Sequence, residues 1–381
     1  MAVEQTDVVV VGAGIIGSSC AFHLVSRGLR VTVVEAFGGP AEGSSGKSFG
    51  SIRGQWADPL NIELSWQSIC AYRDFESRYG FDVGYRPSGY LFLVHESDWP
   101  AHLETVELQR RHGVPVEVLS TAAAQTITPF EPNGIGGATW GTADGAVDPH
   151  SVTVAYLSMA RALGACVRFG RPVTAIESCG ARWRLAAGAD EIETTFVVNA
   201  AGGWSGEVAA LAGLSVPVVH SRRSIYSSAA GAVAAALPMT LDTETRAYLR
   251  SEGSRVLFGM AKPVEVDGYD TNVDWDWMEF VVETMSQRFP WLASLPLDQK
   301  ACWAGTYDLS PDHAAIIGAD PAAPKWINAC GFSGHGVMQA PEAGRLVAEE
   351  IVDGAAHSHD IATLRLERFA NPNHMNTALV F

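Results

Sequence analysis

Residues 7–35 read DVVVVGAGIIGSSCAFHLVSRGLRVTVVE, and the fold is decided there. The apolar, β-branched run 8–11 predicts a buried strand. Gly12, Gly14 and Gly17 follow in the order G-x-G-x-x-G. A helix is predicted from Ile15 to about Arg27, with Gly28 as its stop. A second strand over 31–34 leads into Glu35. Gly12 allows a tight turn, Gly14 lets a pyrophosphate approach the backbone, and Gly17 lets helix and strand pack closely. The free N–H groups at the helix start, around Ile15 and Ile16, suit an anion. Glu35 is placed to accept hydrogen bonds from a ribose diol, which argues against a 2′-phosphate and so against NADP. A lone glycine motif is a weak signal, but here strand, helix, closing glycine, second strand and terminal acid are all present. FAD and NAD share this unit, so the rest of the chain must choose between them.

The 381 residues can bury a large core, and the expectation is two domains. Hydrophobic residues make up 47% and charged residues 18%, as in an ordinary globular enzyme. The formal net charge of −16 disfavours nucleic acid and anionic lipid as partners. An anionic substrate must then be gathered by local positive charge. Six scattered cysteines include no C-x-x-C pair, so neither zinc nor a disulfide framework is expected, and no metal site is predicted. The start MAVEQTDVVVV enters the first strand directly and does not read as a signal peptide. With no apolar run long enough to span a bilayer, the expectation is a cytoplasmic protein.

After Glu35 comes the small, polar loop GGPAEGSSGKSFGSIRG, residues 38–54. Glycine content alone leaves open whether it covers a ligand or is a surface loop. A helix over 61–79, a strand over 89–95 and a surface helix over 98–111 are predicted next. Ser120 reads as the cap of a short helix, and Asp148-Pro149 as a helix start. The run TTFVVNAA, residues 194–201, predicts a buried strand ending at Gly202, which could return the chain to the dinucleotide. From 217 to 258 strand-like runs alternate with turns, as in an antiparallel sheet. A helix is expected over 274–288. Then come WAGTYDLSPDHAAII, a strand over 326–330, the loop GFSGHG and a helix from about Val337.

Together these motifs resemble the D-amino-acid-oxidase-like FAD enzymes, among them sarcosine oxidase, glycine oxidase, D-arginine dehydrogenase and the β-subunit type of proline and sarcosine dehydrogenases. The resemblance covers nearly the whole chain. Its specific carriers are GSSGKSFGSIR, VVNAAGGWS, WAGTYDLSPDH and GFSGHG. It implies an α/β architecture: a Rossmann-like FAD-binding domain from residues 1–84, 147–216 and 303–381. An interleaved α+β substrate domain on an antiparallel sheet would use 85–146 and 217–302. FAD, expected to be non-covalent, would then meet Ser44, Ser45, Lys47 and Ser48 on the isoalloxazine side. Ala200, Ala201, Gly202 and Trp204 would pass near its adenosine and pyrophosphate. Gly331, Ser333, Gly334, His335, Gly336 and Val337 would turn N–H groups and a helix N-terminus toward the pyrimidine edge. His335 is either a further donor there or a packed loop histidine.

For the substrate, the resemblance points to Arg53 as a flavin- and carboxylate-contacting residue, and to Arg223. Alternation puts Tyr248 and Arg250 on one strand face and turns Arg222 away from Arg223. Each arginine also has a reading as a surface charge. Several positions depart from the relatives. Met338 and Gly50 stand where sarcosine oxidase has basic residues, and Leu257 where it has the lysine linked to oxygen activation. Tyr307 stands where glycine oxidase and D-arginine dehydrogenase place a carboxylate-binding arginine. The position of a flavin-linking cysteine falls on Ala304, two residues from Cys302. The implied activity is oxidation of the C–N bond of a small anionic amine or amino acid to an imine. Alternatives are a flavin-binding subunit whose electrons leave through a partner chain, and an NAD-dependent dehydrogenase.

Overall fold

The computed structural model describes residues 4–262 and 268–370. The strand Glu4–Val11 is the spine of an eight-stranded sheet. Parallel neighbours flank it: Val31–Val34 on one side and Asp190–Asn199 on the other. Cys166–Arg168 extends the first flank, and Ala323–Cys330 the second, both in parallel register. Ile316–Asp320 closes that edge antiparallel to Ala323–Cys330. Val8, Val9 and Val10 have no exposed surface. A strand covered on both faces needs such a continuous apolar run. The helices Ile15–Ser26, Pro149–Ala162 and Gly336–Val352 pack together over one face and join Val8 and Val10 in the largest core cluster.

A second eight-stranded sheet is built mainly from antiparallel pairs. Its order is Trp303–Leu309, Val219–Ser227, Arg255–Met260, Ala247–Glu252, Met239–Asp242, Tyr90–His95, Ile135–Gly141 and Val116–Leu119. Its core includes Leu91, Leu249, Phe258 and, from the helix Trp275–Arg288, Val281 and Met285.

Three details differ from the sequence reading. Met239–Asp242 pairs in parallel with Tyr90–His95, so the sheet is mixed. Trp303–Leu309 pairs along its whole length with Val219–Ser227, so this strand belongs to the second sheet although residues 303–381 were read with the first. The helix expected over 61–79 is two helices, Pro59–Arg73 and Phe75–Tyr79. Asp74 separates them with φ −93° and ψ 1°, its carboxylate held by Arg73. The two predicted caps form: Ser120 accepts from Ala123 N–H and Asp148 from His150 N–H; Asp274 also caps its helix, accepting from Trp277 N–H. Among the described residues no helix is long and apolar enough to cross a membrane, and no group of three or more His, Cys, Asp or Glu is placed to hold a metal ion.

Candidate active site

The spine strand ends in Gly12, whose φ of 105° excludes ordinary side chains. A Cβ there would also lie 2.4 Å from the Ala200 carbonyl oxygen. Gly17 fits the helix against the same turn: its Cβ would fall 2.0 Å from Gly12 O. Glu35 is buried and accepts Ala13 N–H at 2.7 Å through Oε2 and Phe37 N–H at 2.8 Å through Oε1. Ser45 Oγ accepts Ile15 N–H at 3.0 Å, which ties the loop after Glu35 to the helix start.

A cavity of about 670 Å³ runs from this turn into the space between the sheets. Gly12, Gly14, Ile15, Ile16 and Glu35 line one end. Ser44, Ser45, Lys47 and Ser48 contribute a wall, as do Ala200, Ala201, Gly202 and Trp204. Gly334, Gly336 and Val337 bring in the N-terminus of the helix Gly336–Val352. These are a glycine cradle that a Cβ would fill and two long helix N-termini facing one elongated space. Such a site fits a dinucleotide with a diphosphate in its middle.

Gly17, Gly331 and Ser333 do not line the cavity; they shape its walls. A Cβ on Gly331 would crowd Ser310, Val218 and Ile316. Ser333 takes the unusual φ of 53° and is fully buried. Its N–H donates to Asp308 O at 3.0 Å, and its hydroxyl accepts Ser310 N–H at 3.3 Å. Asp308 Oδ2 in turn accepts Phe332 N–H at 3.0 Å. Asp308 itself lines the cavity, and burial raises its carboxyl to about 6. The sequence reading passed over this residue. Its only local signal was an acid within the WAGTYDLSPDH run.

Beyond Gly334 a smaller void of about 60 Å³ shares Ser48, Phe49, Tyr248, Tyr307 and Gly334 with the cavity. Gly50, Ser51, Arg53, Tyr90, Met239, Leu241, His335 and Met338 complete it. Tyr90, Met239 and Leu241 were not singled out in the sequence. Alternation shows which residues share a strand face but not which face meets a ligand. Arg53 is buried, with its guanidinium 3.9 Å from the centre of the Trp56 ring and 5.3 Å from that of Phe92. Burial pushes the Tyr90 phenol up to about 12 and raises Tyr248 and Tyr307 as well, so all three are neutral O–H groups at pH 7. Burial, and then the charge of Arg53, holds His335 well below the usual imidazole range. His335 is therefore neutral, and it meets Trp56 edge to face at 4.5 Å.

The arginines separate clearly. Arg223 lines the cavity over the Tyr307 ring, 4.9 Å from its centre. Among the described residues it donates only to Ser221 Oγ and Arg222 O, and its buried Nε has no partner there. Arg222 points the other way, onto Asp270 and Asp274. Arg250 shares a face with Tyr248, since both meet Phe49. It lines neither space, because Phe49 O and Glu252 engage its guanidinium. Leu257 is buried in the apolar cluster with Ile225 and Tyr248. Cys302 packs at the second core, its thiol between Ser227 N–H and Asp298 O.

A family profile described as "DAO: FAD dependent oxidoreductase" matches residues 7–350. The chain belongs to this family. FAD is accordingly its cofactor, and the reading as an NAD-dependent dehydrogenase falls. FAD-dependent oxidoreductase domain-containing protein 1 of Xenopus laevis is 30% identical, aligned over 96% of this chain and 83% of that protein. Mitochondrial sarcosine dehydrogenase of Homo sapiens is 26% identical over 94% of this chain, which spans 41% of that longer protein. Among solved structures, L-proline dehydrogenase from P. horikoshii superposes with a TM-score of 0.88 at 27% identity, covering 97% of this chain and 99% of that one.

Proposed function

We propose that this FAD-dependent oxidoreductase oxidises the C–N bond of a small anionic amine or amino acid to an imine. The observation that carries the reading is Arg223. It is a cavity-facing arginine with no carboxylate within 4.0 Å among the described residues. A substrate carboxylate would give it the two parallel charge-assisted bonds that a guanidinium can make. Arg53, across the shared tyrosines, is the second candidate anchor. The names of relatives support the substrate class: sarcosine dehydrogenase, L-proline dehydrogenase and 4-methylaminobutanoate oxidase all point to amines or amino acids.

When bound, FAD supplies the acceptor for a hydride leaving the substrate carbon. Gly12, Gly14 and Glu35 would hold the dinucleotide end, and Gly334, Gly336 and Val337 the flavin end, beside a helix N-terminus that favours negative charge. The chain's part in the chemistry is to bind and orient. Neutral Tyr248 and Tyr307 offer O–H donors, and Met239, Leu241 and Met338 add apolar side chains to the void's lining. His335 is held neutral, which suits an amine bound in its unprotonated form. The proton leaving nitrogen would pass to water.

The test is the visible spectrum of the purified protein before and after anaerobic addition of a panel of amino acids and N-methyl amino acids. Bleaching by members of the panel is expected, and a spectrum indifferent to all of them would overturn the reading. Cys302 sits with the second core and not on the cavity wall, which supports a non-covalent cofactor. Acid precipitation should leave yellow supernatant; a yellow pellet would contradict it.

A further inference from the structure

The segment 53–56, Arg-Gly-Gln-Trp, is tied down by the side chains of Asp144 and Thr139 and by the backbone of Tyr90. Gly54 N–H donates to Asp144 Oδ1 at 2.8 Å. Gln55 Nε2 donates to Asp144 Oδ2 and to Tyr90 O, both at 3.0 Å. Gln55 Oε1 accepts from the Thr139 hydroxyl at 2.8 Å. That hydroxyl has one proton, spent on Gln55, so His102 Nε2 must donate across its 3.0 Å contact with Thr139. Gln55, Thr139 and Asp144 are all buried. A Cβ on Gly141 would fall 1.9 Å from Asp144 Oδ2 and 2.8 Å from Gln55 Nε2, so glycine there leaves room for the bridge. The clamped residue then presents its own backbone oxygen to Arg53, which donates to Gln55 O through Nη1 at 2.5 Å.

We propose that Gln55 is a positioning residue: its three side-chain hydrogen bonds fix the segment so that its carbonyl holds the Arg53 guanidinium ready for a substrate carboxylate. The role rests on the reading of Arg53 as a carboxylate anchor. An arginine stem loses much rotamer freedom when it is fixed, and holding it beforehand removes that cost from binding. Asp144 lies on the far side of Gln55 as a buried acceptor-only group, so the clamp also carries a negative charge toward the same segment.

The experiment uses the FAD-loaded enzyme and two probes, acetate and its neutral isostere acetamide, with binding read from the change in visible absorbance. Gln55→Met keeps the length and removes all three bonds. It should weaken acetate about tenfold and leave acetamide unchanged. In an Arg53→Ala background it should cost acetate nothing further, because the effect travels through Arg53. Thr139→Val removes a single bond of the clamp and should weaken acetate in the same direction by about threefold; it serves if Gln55→Met does not fold. Unchanged acetate affinity in either variant, or equal losses for acetate and acetamide, would overturn the positioning role. Arg53→Ala with unchanged acetate binding would overturn the anchor reading and this role together, whereas loss in Arg53→Ala with a silent Gln55→Met overturns the clamp alone.

Discussion

Arg223 keeps its guanidinium among neutral acceptors at the cavity wall, while Arg222, its neighbour, is neutralised by two aspartates. Removing a side chain that meets an anion should therefore show in binding more than in folding. Arg223→Ala should raise KM for the anionic substrate by one to two orders of magnitude, about 1.4–3 kcal/mol, and Arg250→Ala should leave it close to wild type. Steady-state kinetics on both variants decide this, and equal effects would sink the ranking. Leu257 bears on where the electrons go. Reaction of oxygen with a reduced enzyme develops negative charge, which a nearby cation stabilises. Leu257 puts an apolar group behind Ile225 and Tyr248 and lines neither space, and Lys262 is engaged by Asp274. Slow reoxidation by oxygen and faster turnover with an acceptor dye are expected in stopped-flow. Reoxidation outpacing dye turnover would assign the protein as an oxidase. The choice between Arg223 and Arg250 could not be read from the sequence. Alternation fixes which residues share a strand face, but not how far along that face the cavity extends.

At the scale of elements, the loop GFSGHG and the helix after it depend on backbone that ordinary residues avoid. Gly334 has φ 92°, and a Cβ on it would meet the Tyr307 ring at 2.5 Å. Gly334→Ala should displace that ring and the helix start together, lowering FAD content per protein in visible absorbance and raising KM. Retention of full FAD with normal kinetics would show that the loop tolerates a shift. Gly12→Ala, strained by φ and blocked by Ala200 O, should give protein without FAD. The dinucleotide half of the fold was legible because its signals are local: a strand, three spaced glycines, a helix stop and an acid lie within one short stretch. The second sheet was less so. Tyr90–His95 and Met239–Asp242 pair in parallel across a long sequence separation, and no residue in either strand announces that partner. The break at Asp74 was also hidden, since apolar spacing continues through it into Phe75.

Across the whole molecule, histidines set the expected pH response. Burial is the largest cause of the low values at His23 and His102, each brought down to about 4, and at His335, held well below the usual range. Between pH 6.5 and 4 the unfolded chain binds these protons and the folded chain does not. Their contribution is complete above pH 6.5 and is lost as pH falls toward 4, at about 1.4 kcal/mol per pH unit for each proton. Asp144 and Asp308, raised to about 6 by burial, act in the opposite sense: they keep protons in the folded state that the unfolded chain has released. Burial lowers His220 and His313 as well, whereas the bond to Glu342 raises His359. With five lowered histidines against two acids and one raised histidine, denaturant titrations should show stability declining below pH 6.5. His23→Leu should reduce that decline by one proton; an unchanged slope would mean that His23 is protonated in the fold.

The strand Trp303–Leu309 runs along the edge of the second sheet, yet Asp308 on it fastens the loop that opens the helix Gly336–Val352 over the first. One rigid ribbon thus serves both halves of the molecule. In engineering terms the second sheet is not a cartridge. Replacing residues 217–302 with the corresponding stretch of a relative would change one partner of every rung along this strand while leaving the other behind. A graft that also exchanges 303–309 carries the rungs with it, but it must keep an acceptor at 308, or the loop 331–336 goes slack as the new specificity is installed.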